Sequence, residues 1–207
     1  MKFVLFVEGE LESKAVPAFL KRWLDPKLKS PVRITPINLR GSGNYLKEIQ
    51  NKVALNLSGA SGAEVIAAIG LLDLYGLEHP PDRQSAADRY TRWKTQIERS
   101  VNNPRFRQFF AVHETEAWLL ADKKRLPREV GSALPKTCVN PESVDFGEPP
   151  AKLLRRLYRE KLRTEYQKVV DSTNLLGDAN SNVVAKKCPY LQQVLDEMRK
   201  LAQKAGL

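Results

Sequence analysis

Four short apolar runs alternate with stretches of helical periodicity in the first 122 residues, and this alternation constrains the fold more than any other feature. Lys2–Val7 is the first run and reads as a buried strand. Ala15, Val16, Phe19, Leu20, Trp23 and Leu24 then recur at helical spacing over residues 12–24. Pro17 is expected in the first turn of that helix, where a missing N–H does no harm. Residues 31–39 form a second strand, ended by Arg40-Gly41-Ser42-Gly43-Asn44, and Leu46, Ile49, Val53 and Leu57 predict a helix after it. Residues 64–72 predict a third strand, residues 77–83 a proline-bearing loop, Ala86–Val101 a charged helix, residues 106–113 a fourth strand and residues 115–121 the start of another helix. Strands alternating with helices imply an α/β fold with a mainly parallel sheet flanked by helices. Nearly continuous apolar strands agree, because both faces of such a sheet are covered.

Past residue 122 no strand pattern recurs. Residues 127–150 read as a proline-rich connection. Residues 151–170 predict one helix with Leu154, Leu157, Tyr158, Leu162, Tyr166 and Val169 on its apolar stripe, and Pro189 can open a last helix. The expected organisation is an α/β core over residues 1–122 and a mostly helical region, 123–207, packed on it. No apolar run reaches the roughly 18 residues that span a bilayer. The acidic residues after Val7 do not fit a secretory signal, so a cytoplasmic location without membrane contact is expected.

The acids fall at informative places on this map. Glu8 follows the first strand, Asp73 the third, and Glu114 and Glu116 the fourth. In an open parallel sheet the C-terminal strand ends share one edge, where ligands bind. Carboxylates gathered there repel unless a proton or cation intervenes, and a hard divalent cation answers that repulsion. Any one of these acids could be an ordinary turn residue or helix cap; acids at three strand ends on one edge favour a site. Only two cysteines and two histidines occur, and the cysteines are not closely spaced, so oxygen ligands and Mg²⁺ or Mn²⁺ are expected rather than zinc. Gly9 and Gly76 are read as sharp turns beside the acids, and His113 as either a proton shuttle or a structural histidine.

Val7-Glu8-Gly9-Glu10 after one strand and Leu72-Asp73-Leu74-Tyr75-Gly76 after another resemble the TOPRIM arrangement, in which a Glu and an Asp-x-Asp bind Mg²⁺. Four segments are more closely similar to the bacterial family of unknown function numbered 4276. They are Phe6-Val7-Glu8-Gly9-Glu10, Asn38-Leu39-Arg40-Gly41-Ser42-Gly43-Asn44, Gly70-Leu71-Leu72-Asp73-Leu74-Tyr75-Gly76, and the stretch from His113-Glu114-Thr115-Glu116 to Asp122. Cys188-Pro189 before the last helix extends the likeness. The resemblance implies a TOPRIM-like (Rossmann-like) fold related to the overcoming-lysogenization-defect nucleases. It also implies a partner AAA or SMC-like ATPase encoded nearby and a role in anti-phage defence. Tyr75 stands where a TOPRIM domain has its second Asp, so Glu114 or Glu116 would replace that ligand and Glu12 could join from the first helix.

Lys and Arg total 34 against 24 Asp and Glu, a net charge of +10, which favours a polyanionic partner such as nucleic acid. Lys152, Arg155, Arg156, Arg159, Lys161, Arg163 and Lys168 crowd one segment and either track phosphates or form a solvated face. Arg40 and Ser42, where a strand passes into a helix, are candidate phosphate contacts. No Gly-Lys-Ser/Thr follows, so the loop is not a Walker motif. Trp93 and Trp118 are expected in packing. The leading expectation is a metal-dependent phosphodiesterase or nuclease with Glu8, Asp73, Glu114 and Glu116 as catalytic or ligating groups. The alternatives are a non-catalytic module that binds nucleic acid or an ATPase on a degenerate scaffold, and a primase-type nucleotidyl transferase, for which no nucleotide pocket is legible.

Overall fold

A computed structural model describes residues 1–77, 85–143 and 147–207. Its strands are β1 (Lys2–Val7), β2 (Arg33–Asn38), β3 (Val65–Asp73) and β4 (Phe106–Ala111), all parallel, in the order β2-β1-β3-β4. The connecting helices are α1 (Glu10–Leu24), α2 (Ser42–Leu57), α3 (Gly59–Ala63) and α4 (Ala86–Val101). After β4 come α5 (Ala117–Ala121), α6 (Arg128–Ser132), α7 (Pro150–Leu157), α8 (Lys168–Asp178), α9 (Ser181–Lys187) and α10 (Pro189–Lys204). The fold is the α/β class with helices on both faces of the sheet.

Alternation along the strands builds two cores. Phe3, Leu5 and Val7 of β1 join Ala67, Ile69 and Leu71 of β3 in one cluster, covered by α1 and the C-terminal helices. Val4 and Phe6 join Ala68 and Leu72 in the other, covered by α2 and α4. From β1 the chain crosses by α1 over the first face to β2; from β3 it crosses by α4 over the second face to β4. The crossovers diverge between β1 and β3, and a crevice opens at their C-terminal ends.

The C-terminal helices belong to the first core, where Leu176, Val184, Leu195 and Met198 pack with Phe19 and Trp118. Trp118, fully buried, stacks on Phe19 at 5.9 Å. Polar ties add to this: Asp122 Oδ2 accepts the Asn180 N–H at 2.9 Å, and Lys187 Nζ donates to the Ala121 carbonyl at 2.7 Å.

Several local expectations need correction. Pro17 lies in the middle of α1, not its first turn. The lost hydrogen bond and ring clash cost roughly 3 kcal/mol, but α1 buries Val16, Phe19, Leu20, Trp23 and Leu24, each contributing about 1.5–3 kcal/mol. Tyr45, not Leu46, fills the core side of α2, because its hydroxyl reaches buried Gln108 at 2.7 Å. Residues 127–150 are not a plain connection but include α6 and two short 3-10 turns. The predicted helix over 151–170 is broken: α7 passes into a π-helical turn, Tyr158–Leu162, Arg163 takes a left-handed φ of 55°, and α8 starts afresh at Lys168. Most of the loop expected at 77–83 falls outside the described residues, and its first residue, Leu77, ends a short 3-10 turn.

Candidate metal centre

The crevice between β1 and β3 gathers the strand-end acids. Asp73 is the last residue of β3 and is buried. Its Oδ1 accepts from the Thr115 N–H at 2.9 Å and from Thr115 Oγ1 at 3.0 Å, which ties the β3 end to the segment after β4. Thr115 Oγ1 also lies 3.4 Å from Glu12 Oε1, so one hydroxyl bridges an acid of α1 and an acid of β3. Glu8 is half-buried beside them. Gly9 lies in the bend between β1 and α1, but its backbone there is ordinary and extended, φ −133°, so the bend does not itself require glycine. Gly9 supplies space, because a Cβ there would collide with the Glu12 carboxylate.

Glu114 and Glu116 are placed differently. Glu114 Oε2 accepts the Ala151 N–H at 2.9 Å and thereby caps the start of α7. Glu116 is fully buried. Lys168 Nζ lies 3.0 Å from its Oε1 and 4.0 Å from Asp73 Oδ2. Neither Glu116 oxygen receives a well-directed hydrogen bond from the described residues, so the Lys168 contact acts as charge attraction.

Electrostatics follow from burial and crowding. Burial pushes the Glu8 carboxyl up to about 8, and Asp73 and Glu12 add to the rise. Burial, then Asp73, takes Glu12 to about 7. Glu116 also reaches about 7 through burial, although Lys168 opposes the rise. Asp73 and Glu114 shift upward for the same leading reason. Lys168 rises above its ordinary range even though burial works against its charge, because Glu116 and Asp73 surround it.

A cavity of about 290 Å³ opens on this cluster, lined by Glu8, Glu12, Gly41, Ser42 and Lys168 among others. Gly41 holds φ 105°, which suits glycine, and its N–H donates to the Glu8 carbonyl at 2.7 Å. That bond brings the start of α2 against the acids. Ser42 faces the cavity, whereas the structure gives Arg40 no contact with it. A larger cavity of about 550 Å³ lies between α4, β4 and α10, but four of its charges pair with one another, Lys94 with Glu98 at 2.6 Å and Arg107 with Glu197 at 3.3 Å.

The donor set suits a hard divalent cation, since every donor is oxygen and buried Glu116 lacks directed donors. As the side chains stand, no group of three or more His, Cys, Asp or Glu among the described residues converges as a cation cage. Lys168 occupies the charge-balancing position instead.

Two groups escaped sequence reasoning. Thr115 is one, hidden between two acids that drew attention. Lys168 is the other, read as one of many residues on a basic face. The remaining basic candidates separate. Arg156 is bound to Glu148 at 2.6 Å and Glu160 at 3.1 Å, and Arg159 to Glu165 at 2.7 Å. Arg155 is exposed and acts on the acid cluster by drawing Glu114 downward. His113 is buried, and its carbonyl accepts the Tyr75 N–H at 3.0 Å.

No curated protein matches the chain. The C-terminal region of the Burkholderia pseudomallei OLD protein is similar in structure, with TM-score 0.49 and 18% identity over 97% of this chain and 98% of that one. A family model described as "Domain of unknown function (DUF4276)" matches residues 7–199. With nearly its whole length inside that match, the chain belongs to the DUF4276 family.

Proposed function

We propose that the protein is a Mg²⁺- or Mn²⁺-dependent phosphodiesterase acting on nucleic acid, a nuclease of TOPRIM type. The supporting observation is the buried cluster of Glu8, Glu12, Asp73 and Glu116 at the crossover crevice, whose ionisation burial and mutual repulsion oppose. Glu8, Glu12, Asp73 and Glu116 would hold the ion, which would polarise a phosphodiester and lower the pKa of a bound water. Thr115 fixes Glu12 and Asp73 relative to each other. Lys168 balances the carboxylates and lines the cavity, where its ammonium can meet a phosphate oxygen. Ser42 stands at the cavity side of the α2 start, beside backbone N–H groups that favour an anion. The net charge of +10 supports a polyanionic substrate. A partner AAA or SMC-like ATPase and a place in anti-phage defence are part of the proposal and rest on the family resemblance.

A second reading, a non-catalytic module that binds nucleic acid or an ATPase, is favoured by Tyr75 at the position of a ligating acid and by Lys168 within the cluster. Cleavage assays separate the two. Single- and double-stranded DNA and RNA are offered in Mg²⁺ and in Mn²⁺, with and without a neighbouring ATPase. Cleavage that requires metal and disappears in Glu8→Ala, Asp73→Ala and Glu116→Ala supports the enzyme. Binding without cleavage in every combination supports the module.

A further inference from the structure

We propose that a second, purely basic cavity, lined by Lys123, Lys124 and Arg128, holds the phosphate backbone of the nucleic acid away from the acidic site. This deepens the nucleic-acid reading and takes its ligand from it.

The cavity measures about 310 Å³ and is completed by Leu126, Gly131 and Ser132, with no acid in its wall. Its three cations are exposed, and none forms an ion pair with a described acid. Other clustered basic residues differ: Arg125 faces Asp122 at 3.8 Å, and Arg156 and Arg159 are paired as above. Three like charges around one hollow repel, and an anion relieves that repulsion.

The hollow is held by the core rather than by chance loop placement. Leu126 and Val130 are buried, anchoring the turn and α6. The Gly131 N–H donates to the Pro127 carbonyl at 2.8 Å. A Cβ on Gly131 would stand 2.7 Å from the Lys123 carbonyl, so only glycine lets α6 close this tightly on the Lys123 turn.

Position connects this hollow to the acids. Glu116 immediately precedes α5, and Lys123 follows its end by two residues. The five residues of α5 span about 7.5 Å. One strand of a duplex carries a phosphate about every 3.4 Å of axis, so a strand running between the two places passes about two phosphates. α6 also packs against the π-helical turn that carries Arg159 and Lys161.

The test uses the full chain, EDTA and a fluorescein-labelled duplex DNA, with affinity read by anisotropy across a salt series. Lys123→Ala/Lys124→Ala/Arg128→Ala is compared with Lys29→Ala/Lys47→Ala/Lys186→Ala, which removes three exposed charges elsewhere. Three lost phosphate contacts lower the salt slope by about 2.7, and between about 50 and 200 mM salt wild type then loses roughly 40-fold more affinity than the cavity variant. The control variant should keep a nearly wild-type slope. The reciprocal variant Lys123→Arg/Lys124→Arg/Arg128→Lys should retain binding, which separates charge from folding. Equal losses in cavity and control variants, or no DNA binding by wild type, would overturn the proposal. Wild type that binds with this pattern yet never cleaves would refute the nuclease and leave the cavity standing.

Discussion

Replacing Glu116 by glutamine should flatten the dependence of stability on pH in metal-free protein. The Glu116 carboxyl is fully buried and pushed from 4.5 to about 7. A raised acid holds its proton more tightly in the folded state, so nothing is lost below pH 4.5 and the destabilisation grows until pH passes about 7. The whole shift corresponds to about 3 kcal/mol, of which about 2 kcal/mol develops between pH 5.5 and 8. For a chain of 207 residues that is roughly 4–8 °C in Tm. Lys168 contributes no slope there, since its pKa is raised from 10.5 and it stays charged throughout. The assay is thermal unfolding at both pH values in EDTA, for wild type and Glu116→Gln. The quantity read is the difference between the two pH-induced shifts, because the substitution also removes the acid nearest Lys168 and leaves Asp73, at 4.0 Å, as its ion-pair partner. Mg²⁺ or Mn²⁺ should then raise the wild-type Tm more at pH 8 than at pH 5.5, since the ion replaces the held protons. Equal pH slopes in the two proteins would refute the argument that Glu116 ionises against its surroundings.

Glu114→Gln should keep the metal-induced rise in Tm that Glu116→Gln loses, because Glu114 is engaged with the Ala151 N–H; loss in both would show that Glu114 ligates too. Glu142→Ala should lower stability at pH 8 by about 1–2 kcal/mol in urea, since its oxygens accept the Tyr190 and Leu191 N–H groups at the start of α10, at 2.8 and 3.2 Å. Gly70→Ala should cost about 1–3 kcal/mol by overpacking, as its methyl would meet both partners of the buried Tyr45–Gln108 hydrogen bond; an unchanged urea midpoint would contradict that packing.

The sheet was legible because its strands are short apolar runs set between segments of helical period. Lys2–Val7 and Ala86–Val101 match the expected spans, and the strand pattern alone puts the acids at the ends of β1 and β3 on one edge. What pattern could not show was where a helix stops. Leu154, Leu157, Tyr158 and Tyr166 are all buried, so the apolar stripe continues past Arg163 even though the helix does not. The left-handed residue redirects the chain, and that turn brings Lys168 from a supposed outer face into the acid cluster. Pro17 misleads for a related reason, since tertiary burial outweighs a local preference that sequence reading must trust.

The same turn bears on Tyr75. In the proposed metal site a tyrosine there means one ligand fewer, yet the field that would attract a cation does not depend on one residue. Glu12 comes from α1, Glu116 from the segment after β4, and Thr115 links their neighbours through Asp73. With Glu8 and the neighbouring Glu114 these make five carboxylates around a single ammonium, so full ionisation would leave four negative charges in a largely buried crevice. The cluster avoids that state by holding protons, which is why Glu8, Glu12 and Glu116 all rise to near or above neutrality. Held protons are what a divalent cation displaces. In the proposed site Tyr75 therefore bears on the number and geometry of ligands, while the demand for positive charge is set by the five acids that remain.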